Sequence, residues 1–375
     1  MAASPDPGGA GNALAAIIQR HGPVSFEQVV ELALYHPEYG FFSRGGAAGR
    51  RHGDFITSPE VGPLFGQIVA RAVDECWRDL GEPDPFVVVE CGAGTGTLAR
   101  ALLAASPACA AALTYVLVER AAALRAHHHE HLPLSPSHIV GAGGSGPRVV
   151  SRAEPPAVVT TGVTIANELL DNLPFRLAQR DGAIWHEVRV GYEATTSRFI
   201  ELSLPAPDAL ADHASRLVPD APDGARIPVQ SRAAGWLRDA LARVDLGRVI
   251  VIDYASTTPL LAHRPMREWI RTYRGHEAGV GPLEALGRQD ITVEVCIDQL
   301  SRVRRPDRDR AQTEFLRDHG LAELVSEGRR IWHERAYIGD LEAVRGRSRV
   351  TEAEALTDPV GLGSFRVLEW DVAGL

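Results

Sequence analysis

A short strand followed by a glycine turn constrains the fold of this chain more than any other feature. Residues Phe86–Glu90 read Phe-Val-Val-Val-Glu, a β-branched run typical of a buried parallel strand. The strand leads into Cys-Gly-Ala-Gly-Thr-Gly, and a helical pattern begins at Thr97. Strand, glycine turn and helix in this order predict an open, Rossmann-like α/β sheet that binds a ligand at the carboxyl ends of its strands.

Further strands are predicted along the chain. Some are short apolar runs separated by helical stretches, as expected for a parallel sheet. Alternating residues around Asp181-Gly182 predict instead a strand pair over residues 175–206. The apolar candidates are Tyr115–Glu119, Val163–Glu168, Val249–Tyr254 and Phe365–Val372.

Helix signals mark the N-terminal region. Ser25 and Gln28 form a predicted capping box ahead of an amphipathic helix that ends at Pro37. After a glycine-rich loop, Pro63 opens a second helix.

The chain divides by pattern into four segments. Residues 1–82 form an N-terminal helical segment that includes the loop Gly-Asp-Phe-Ile-Thr-Ser-Pro-Glu, and residues 83–260 form the α/β core. We expect residues 261–345 to be mostly helical and to cover the active edge of the sheet, and residues 346–375 to return a strand to the core.

The glycine turn indicates the cofactor. A dinucleotide fingerprint needs a glycine at position 97, where this chain has Thr97. The spacing therefore disfavours a pyrophosphate and fits S-adenosylmethionine, a nucleoside joined to an amino acid. The predicted contacts are Glu90, Gly92, Gly94 and Gly96.

A carboxylate in the right place supports this cofactor. Glu119 ends the second predicted strand, where an acidic side chain can accept hydrogen bonds from both ribose hydroxyls. Either feature alone would also suit a purely structural turn, but the two together favour a cofactor site.

Composition excludes several chemistries. All 39 basic residues are arginine, so a Schiff base, a pyridoxal-phosphate anchor and a Walker-A phosphate grip are ruled out. A net charge of −9 does not support a nucleic-acid partner. The four cysteines are scattered and predict no metal site or disulfide framework.

The N-terminal and apolar segments predict a cytoplasmic location. The chain starts without a basic region ahead of an apolar run, so we expect no secretory signal. The uncharged stretch 101–118 is divided by Ser106-Pro107, so we expect no membrane span there.

Four segments of the chain form a recognisable series. They are Gly53–Glu60, Glu90–Leu98, Ala166–Pro174, and Tyr273–His276 with Asp290–Thr292. In this order they resemble the MidA family of mitochondrial and bacterial proteins. Two positions of the glycine turn depart from the family pattern Gly-Pro-Gly-Arg-Gly, because Ala93 and Thr95 replace Pro and Arg, and Cys296 stands where many relatives carry Asp.

The resemblance implies a fold, a cofactor and a reaction. It implies a class I methyltransferase core with added helical and insert elements, S-adenosylmethionine as cofactor, and methyl transfer to an arginine of a protein partner. A respiratory complex subunit is one such partner.

The segment Gly53–Glu60 is then interpreted as a lid. It places the short polar residues Asp54, Thr57, Ser58 and Glu60 just ahead of the helix that Pro63 opens. By the resemblance, the lid reaches the methionine end of the cofactor with a helix N-terminus toward its carboxylate, and Asp54, Thr57 and Ser58 are assigned to the cofactor. The alternative is an ordinary helix cap, which suits Ser58 best.

Carboxylates after the third core strand are candidates for holding the acceptor. Asn167 and Glu168 end that strand and face the cofactor crevice, and Asn167 is assigned to the cofactor. Because a guanidinium pairs with carboxylates in bidentate fashion, Glu168 and Asp171 are predicted to orient an arginine, with His276 as a third candidate. The alternatives are that Asp171 or Asn172 only caps its segment and that His276 is structural.

Two charged tracts are interpreted as surface. The residues 127–131, His-His-His-Glu-His, point in different directions on a helix, so a solvated face is expected rather than a metal site. The arginine run 302–310 is expected to be solvated and salt-bridged.

Two other classes of function stay open. An oxidoreductase of the NAD type is disfavoured by the missing third glycine of the fingerprint. A non-catalytic scaffold that keeps the cofactor fold would retain the glycine turn and Glu119 without turnover.

Overall fold

The strands lie in four sheets. The computed structural model describes residues 9–46, 57–136, 140, 143–275 and 277–373. In these ranges the strands are β1 (Val24–Ser25), β2 (Phe86–Cys91), β3 (Leu113–Val118), β4 (Arg148–Arg152), β5 (Thr160–Asn167), β6 (Arg176–Asp181), β7 (Ile184–Glu193), β8 (Arg198–Pro205), β9 (Arg226–Val229), β10 (Val244–Asp253), β11 (Ala255–Ser256), β12 (Ile270–Arg274), β13 (Glu277–Ala278), β14 (Asp290–Val293), β15 (Val295–Cys296), β16 (Arg308–Ala311) and β17 (Arg366–Val372).

Helices surround these sheets. They are α1 (Ala10–His21), α2 (Phe26–Tyr35), α3 (Ser58–Val61), α4 (Pro63–Asp79), α5 (Thr97–Ala104), α6 (Ala122–Arg125), α7 (His128–His131), α8 (Asp208–Leu217), α9 (Ser231–Ala242), α10 (Thr258–Ala262), α11 (Ile297–Ser301), α12 (Gln312–Asp318), α13 (Leu321–Arg335) and α14 (Leu341–Leu356). The predicted capping box of α2 is confirmed, and α4 begins at the predicted Pro63. None of the helices seen in the described ranges has the length and apolar character that crossing a bilayer requires.

The central sheet has seven strands in the order β16-β17-β10-β5-β2-β3-β4. Strands β10, β5, β2, β3 and β4 are parallel, whereas β17 runs antiparallel between β10 and β16. Alternate residues of β2 serve two layers: Phe86 and Val88 pack with α4 and α5, while Val87 and Val89 pack on the other face. The predicted apolar strands, the closing strand included, are therefore confirmed.

Strands β6 to β9, which lie between β5 and β10 along the chain, form a second sheet together with the N-terminal strand β1. Its order is β1-β7-β6-β9, with β8 also paired to β7, and all its pairs are antiparallel. The predicted hairpin is present as β6 and β7, but residues 175–206 hold three strands rather than two. The third strand, β8, alternates Ile200, Leu202 and Leu204 with polar residues, and it is exposed or half-buried along its whole length.

The expectation that residues 261–345 are mostly helical is wrong for the first half of that segment. Strand β12 pairs with β13 and β14 in a three-stranded sheet, and longer helices begin only at α12. The physical reason is that β14 is buried at every position and β12 at alternate positions, which suits β-branched side chains in short strands.

The arginine run forms salt bridges as expected, but its last part is not simply solvated. Arg308 and Arg310 lie on edge strand β16 and contact Glu369 on β17, which has no exposed surface. Arg248 on β10 completes the cluster from the other side, with 3.3 Å between Nη1 and Glu369 Oε1. The run therefore fastens the edge of the central sheet.

Candidate functional site

A cavity of about 270 Å³ opens at the carboxyl edge of the central sheet. Its wall includes the glycine turn after β2, Glu119 and Arg120 after β3, and Asn167 to Leu169 at the end of β5. Thr57, Pro59 and Glu60 close it from the lid, and Tyr35 and Phe42 from the N-terminal region. Parallel strands bring these segments to one edge, as the strand order predicts.

The glycine turn is held close to β3. The amides of Gly92 and Ala93 donate to the carbonyl oxygen of Val118 at 2.9 and 3.1 Å. Gly94 has φ +55°, and a Cβ added there would meet no atom within 4 Å. The predicted Gly92 and Gly94 thus line the cavity, whereas Gly96 does not: a Cβ there would press on Leu117 at 3.1 Å.

Glu119 is a fixed carboxylate on the cavity wall. Its Oε2 accepts from the Gly94 amide at 2.9 Å, and its Oε1 accepts from the Ala121 amide at 2.7 Å. Burial raises the pKa of Glu119, while those two amides act in the opposite direction. Each oxygen retains a lone pair for a ligand hydroxyl.

Glu90 lies deeper beneath the turn. The Tyr115 hydroxyl donates to Glu90 Oε2 at 2.8 Å, and burial raises the pKa of Glu90 to about 8. Its side chain belongs to the cavity wall, as the sequence predicted, but one oxygen already serves Tyr115.

The interpretation of residues 127–131 as a solvated face is wrong for His128. Its side chain is completely buried, with Nε2 2.9 Å from the Gly94 carbonyl oxygen and Nδ1 2.8 Å from Ser151 Oγ. Burial lowers its pKa. One signal could have revealed it: His128 lies four residues from both Leu124 and Leu132, which are buried on the same side.

The lid residues differ in whether they line the cavity or contact other parts of the protein. Asp54 lies outside the described residues, and Thr57 lines the cavity. Ser58 does not line it: its amide donates to Glu168 Oε1 at 3.1 Å and its hydroxyl donates to Gln312 Oε1 at 3.0 Å. Ser58 is also not a cap, because it is the first residue inside α3.

The use of a helix N-terminus by the cofactor carboxylate stays a prediction, and one N-terminal amide of α3 and one of α4 already serve carboxylates of the protein. The Ser58 amide of α3 is taken by Glu168, and the Leu64 amide of α4 donates to Glu352 Oε2 at 2.8 Å. The carboxylates of the protein itself thus occupy these N–H groups.

Glu60, one of the polar residues of the predicted lid, lines the cavity. It lies in α3 of the lid, and the Thr97 hydroxyl donates to its Oε1 at 2.6 Å. Thr97 is the residue that separates this turn from a dinucleotide fingerprint. No local pattern joins the two, since they lie in different elements of the chain.

Glu168 is the carboxylate at the end of β5. It lines the cavity with a positive φ of 50°, and burial raises its pKa to about 8. Asn167 Nδ2 donates to Glu168 Oε1 at 3.2 Å. The other amide atom, Asn167 Oδ1, is buried without a hydrogen-bond partner in the described structure.

The structure does not bring Asp171 to the cavity wall. The short turn after β5 directs it toward Tyr254, whose hydroxyl donates to Asp171 Oδ2 at 2.6 Å. Burial raises the pKa of Asp171 to about 6. Asn172 does line the cavity, while its Nδ2 donates to Asp290 Oδ1 at 2.8 Å. His276 lies outside the described residues.

Carboxyl groups outnumber cations on the cavity wall. Among its described residues, four carry carboxyl groups and only Arg120 is a cation. Arg120 forms an ion pair with Glu31 and lies 4.7 Å from the centre of the Tyr35 ring. The wall carboxyl groups belong to Glu60, Glu90, Glu119 and Glu168. Such a wall suits a ligand with positive charge.

Comparison with known families identifies what the site resembles. Residues 68–313 match a family model described as "Putative S-adenosyl-L-methionine-dependent methyltransferase". The match covers more than half of the chain, and it includes the glycine turn, Glu119 and Glu168.

The curated relatives are also named as methyltransferases. The mitochondrial protein arginine methyltransferase NDUFAF7 homolog of Drosophila melanogaster is 41% identical over 90 residues, 24% of this chain and 20% of that protein. The alignment therefore spans about a fifth of that relative. NDUFAF7 of Danio rerio, named a mitochondrial protein arginine methyltransferase, is 24% identical over 314 residues, 77% of this chain and 70% of that protein.

A solved structure shares the whole architecture. A crystal structure from Burkholderia thailandensis, bound to S-adenosyl-homocysteine, superimposes with a TM-score of 0.80 at 26% identity. The superposition covers 96% of this chain and 91% of the Burkholderia thailandensis chain. The likeness thus includes the inserted antiparallel sheet as well as the central one.

Proposed function

The chain belongs to the MidA family of S-adenosylmethionine-dependent methyltransferases, and from this premise we propose that it methylates an arginine side chain of a protein. The relatives named protein arginine methyltransferases support the acceptor class. The observation that carries the proposal is Glu168, a buried carboxyl group on the wall of the same cavity as the glycine turn. A guanidinium is the side chain best matched to such a partner.

The residues present fit S-adenosylmethionine, the cofactor of this family. Gly94 leaves open space where a side chain would stand, and Glu119 offers acceptors for ribose hydroxyls. The buried Asn167 Oδ1, which has no hydrogen-bond partner in the described structure, can accept a hydrogen bond from the cofactor. The carboxyl-rich wall suits a cofactor that carries a sulfonium and an ammonium group.

Glu168 has the properties needed to align the acceptor. The bound cofactor supplies an electrophilic methyl group on sulfur. The Ser58 amide and Asn167 Nδ2 hold Glu168 Oε1, which leaves Oε2 to accept a guanidinium N–H. A guanidinium nearby lowers the pKa of the carboxyl group by Coulombic attraction, so the acceptor promotes ionisation of Glu168.

A second task of Glu168 concerns the proton. The acceptor nitrogen loses one proton when it is methylated, and an ionised Glu168 can take it up. Alignment supplies most of the acceleration in such a displacement, so a strong base is not required. Asp171, away from the cavity wall, acts only by holding the turn that follows Glu168.

Narrower statements about biology follow from the resemblance. The proposed acceptor is a protein, and a respiratory complex subunit is the specific candidate. We propose a cytoplasmic location for this chain. The names of the curated relatives include the word mitochondrial.

The decisive experiment incubates the purified protein with methyl-labelled S-adenosylmethionine and a cell lysate. Label on arginine of a protein supports the proposal, and the labelled band identifies the acceptor. Binding of S-adenosylhomocysteine without any labelling would favour the scaffold function. Binding of NADH without S-adenosylmethionine would exclude the proposal.

A further inference from the structure

We infer that Glu60 binds the α-ammonium group of the cofactor's methionine part and selects against pyrophosphate ligands. The inference rests on the proposed function, since it assumes that S-adenosylmethionine occupies the cavity. It gives a role to the one wall carboxylate on α3, the lid helix that closes the cavity.

The position of Glu60 follows from the strand order. Glu119, the carboxylate for the ribose, follows β3, and Glu168 follows β5, with β2 between them. Helix α3 is tied to the β5 side through the Ser58 amide and to the start of α5 through Glu60 and Thr97. A ligand whose ribose contacts Glu119 and which extends across the turn therefore brings its amino-acid part toward Glu60.

One carboxylate oxygen of Glu60 is open to accept a hydrogen bond from an ammonium group. Its Oε1 accepts from Thr97, while Oε2 has no hydrogen-bond partner in the portion of the chain that is described. Of the other wall carboxylates, Glu90 receives the Tyr115 hydroxyl and Glu119 receives two amides. Glu168, whose Oε1 accepts from the Ser58 amide and from Asn167 Nδ2, is the carboxylate assigned to the acceptor. An ammonium bound by Glu60 would form a charge-assisted hydrogen bond, stronger than a neutral one.

The pair formed by Glu60 and Thr97 also explains the cofactor class. A glycine at position 97 would complete a dinucleotide fingerprint. Thr97 instead fixes a carboxylate beside the helix start, where a pyrophosphate would have to lie. Like charges disfavour that arrangement, so the same contact attracts an ammonium and repels a phosphate.

The test compares two ligands by calorimetry. One is S-adenosylhomocysteine, and the other is its analogue in which hydrogen replaces the α-ammonium group. We expect the parent to prefer the first by about tenfold, and Glu60→Gln to bring the two affinities within about threefold. Glu154→Gln is the matched control. It removes the same charge, but Glu154 is exposed and lies outside the cavity wall.

A second variant keeps the inference falsifiable if Glu60→Gln unfolds. Thr97→Val retains the branched shape but removes the donor to Glu60, so the same preference should fall, though less. An unchanged preference in both folded variants would overturn the inference, and so would an equal loss for both ligands, which would indicate only a structural lid. If the parent binds neither ligand, the proposed function itself fails.

Discussion

The imidazole of His128 lies with Nε2 2.9 Å from the carbonyl oxygen of Gly94, the glycine at the centre of the cofactor turn. The backbone amide of the same residue, Gly94, donates to Glu119 Oε2 at 2.9 Å. The turn is therefore held by one side chain at its amide and by another at its carbonyl. Ser151 Oγ, 2.8 Å from Nδ1, fixes the imidazole in the orientation that reaches Gly94.

His128→Ala should weaken cofactor binding without contacting the cofactor. The Gly94 carbonyl loses a buried donor, and one such hydrogen bond contributes about 1 kcal/mol, so we expect S-adenosylhomocysteine affinity to fall by roughly 3- to 10-fold. Calorimetry measures this. The neighbouring exposed His129→Ala serves as control and should bind like the parent. Equal affinities for both variants would contradict the bracing role of His128.

Gly94→Ala tests the open space in the turn. A methyl group there enters ligand room and also meets the cost of a positive φ, so we expect S-adenosylhomocysteine affinity to fall by about 5- to 30-fold, from about 1–2 kcal/mol. Gly182→Ala is a matched control, because Gly182 has the same φ of +55° and also no atom within 4 Å of an added Cβ, but lies in the β6–β7 turn. Similar binding by the two variants would remove Gly94 from the site.

Glu119→Gln tests the ribose contact. The amide side chain keeps one acceptor oxygen but loses the charge, and hydrogen bonds to charged groups contribute about 1.5–3 kcal/mol, so affinity should fall by about tenfold or more. Fluorescence or calorimetric titration with S-adenosylhomocysteine measures it. Glu130→Gln, on an exposed helix position nearby, controls for the lost charge. Parent-like affinity in Glu119→Gln would mean that the carboxylate serves only the turn.

The central sheet was predictable because its signals are local. A β-branched run, three glycines and a helix start at Thr97 follow one another directly, and each strand repeats the apolar pattern. Glu119 and Glu168 could be placed at the cavity because the carboxyl ends of parallel strands meet at one edge. The inserted sheet escaped prediction in part because β8 has no buried face of its own.

The finer contacts were not predictable because they join distant parts of the chain. Ser58 seemed to be a cap, but its hydroxyl serves Gln312 and its amide serves Glu168. Asp171 seemed to share the crevice with Glu168, but the turn after β5 directs it to Tyr254. In each case the sequence fixes the residue type, whereas tertiary packing chooses the partner.

Glu369→Gln should destabilise the fold rather than the site. This fully buried carboxylate contacts Arg248, Arg308 and Arg310, and removing one partner from a buried charge cluster typically costs about 3–5 kcal/mol. Urea unfolding at neutral pH measures the loss. Glu354→Gln, at an exposed position of α14, should change stability by less than about 0.5 kcal/mol. Equal stability of the two variants would show that the cluster contributes little.

Glu168→Gln tests the acceptor side, where the proposal depends on one carboxyl group. The variant keeps an oxygen for the Ser58 amide but cannot ionise, so kcat/KM for a defined protein acceptor should fall by at least about 100-fold. Affinity for S-adenosylhomocysteine should stay within about threefold, because Glu119 and the glycine turn are unchanged.

The pH profile distinguishes alignment by a charged group from a structural role of Glu168. Burial raises the pKa of Glu168 to about 8, so in the free protein the carboxyl group is protonated below that pH and ionised above it. The kcat/KM of the parent reports the free protein and should therefore rise with pH until about 8, whereas the residual activity of Glu168→Gln should lack that rise. If the variant keeps both full activity and the parent profile, Glu168 does not align the acceptor. A parallel loss of cofactor affinity and turnover would instead assign Glu168 to the cofactor.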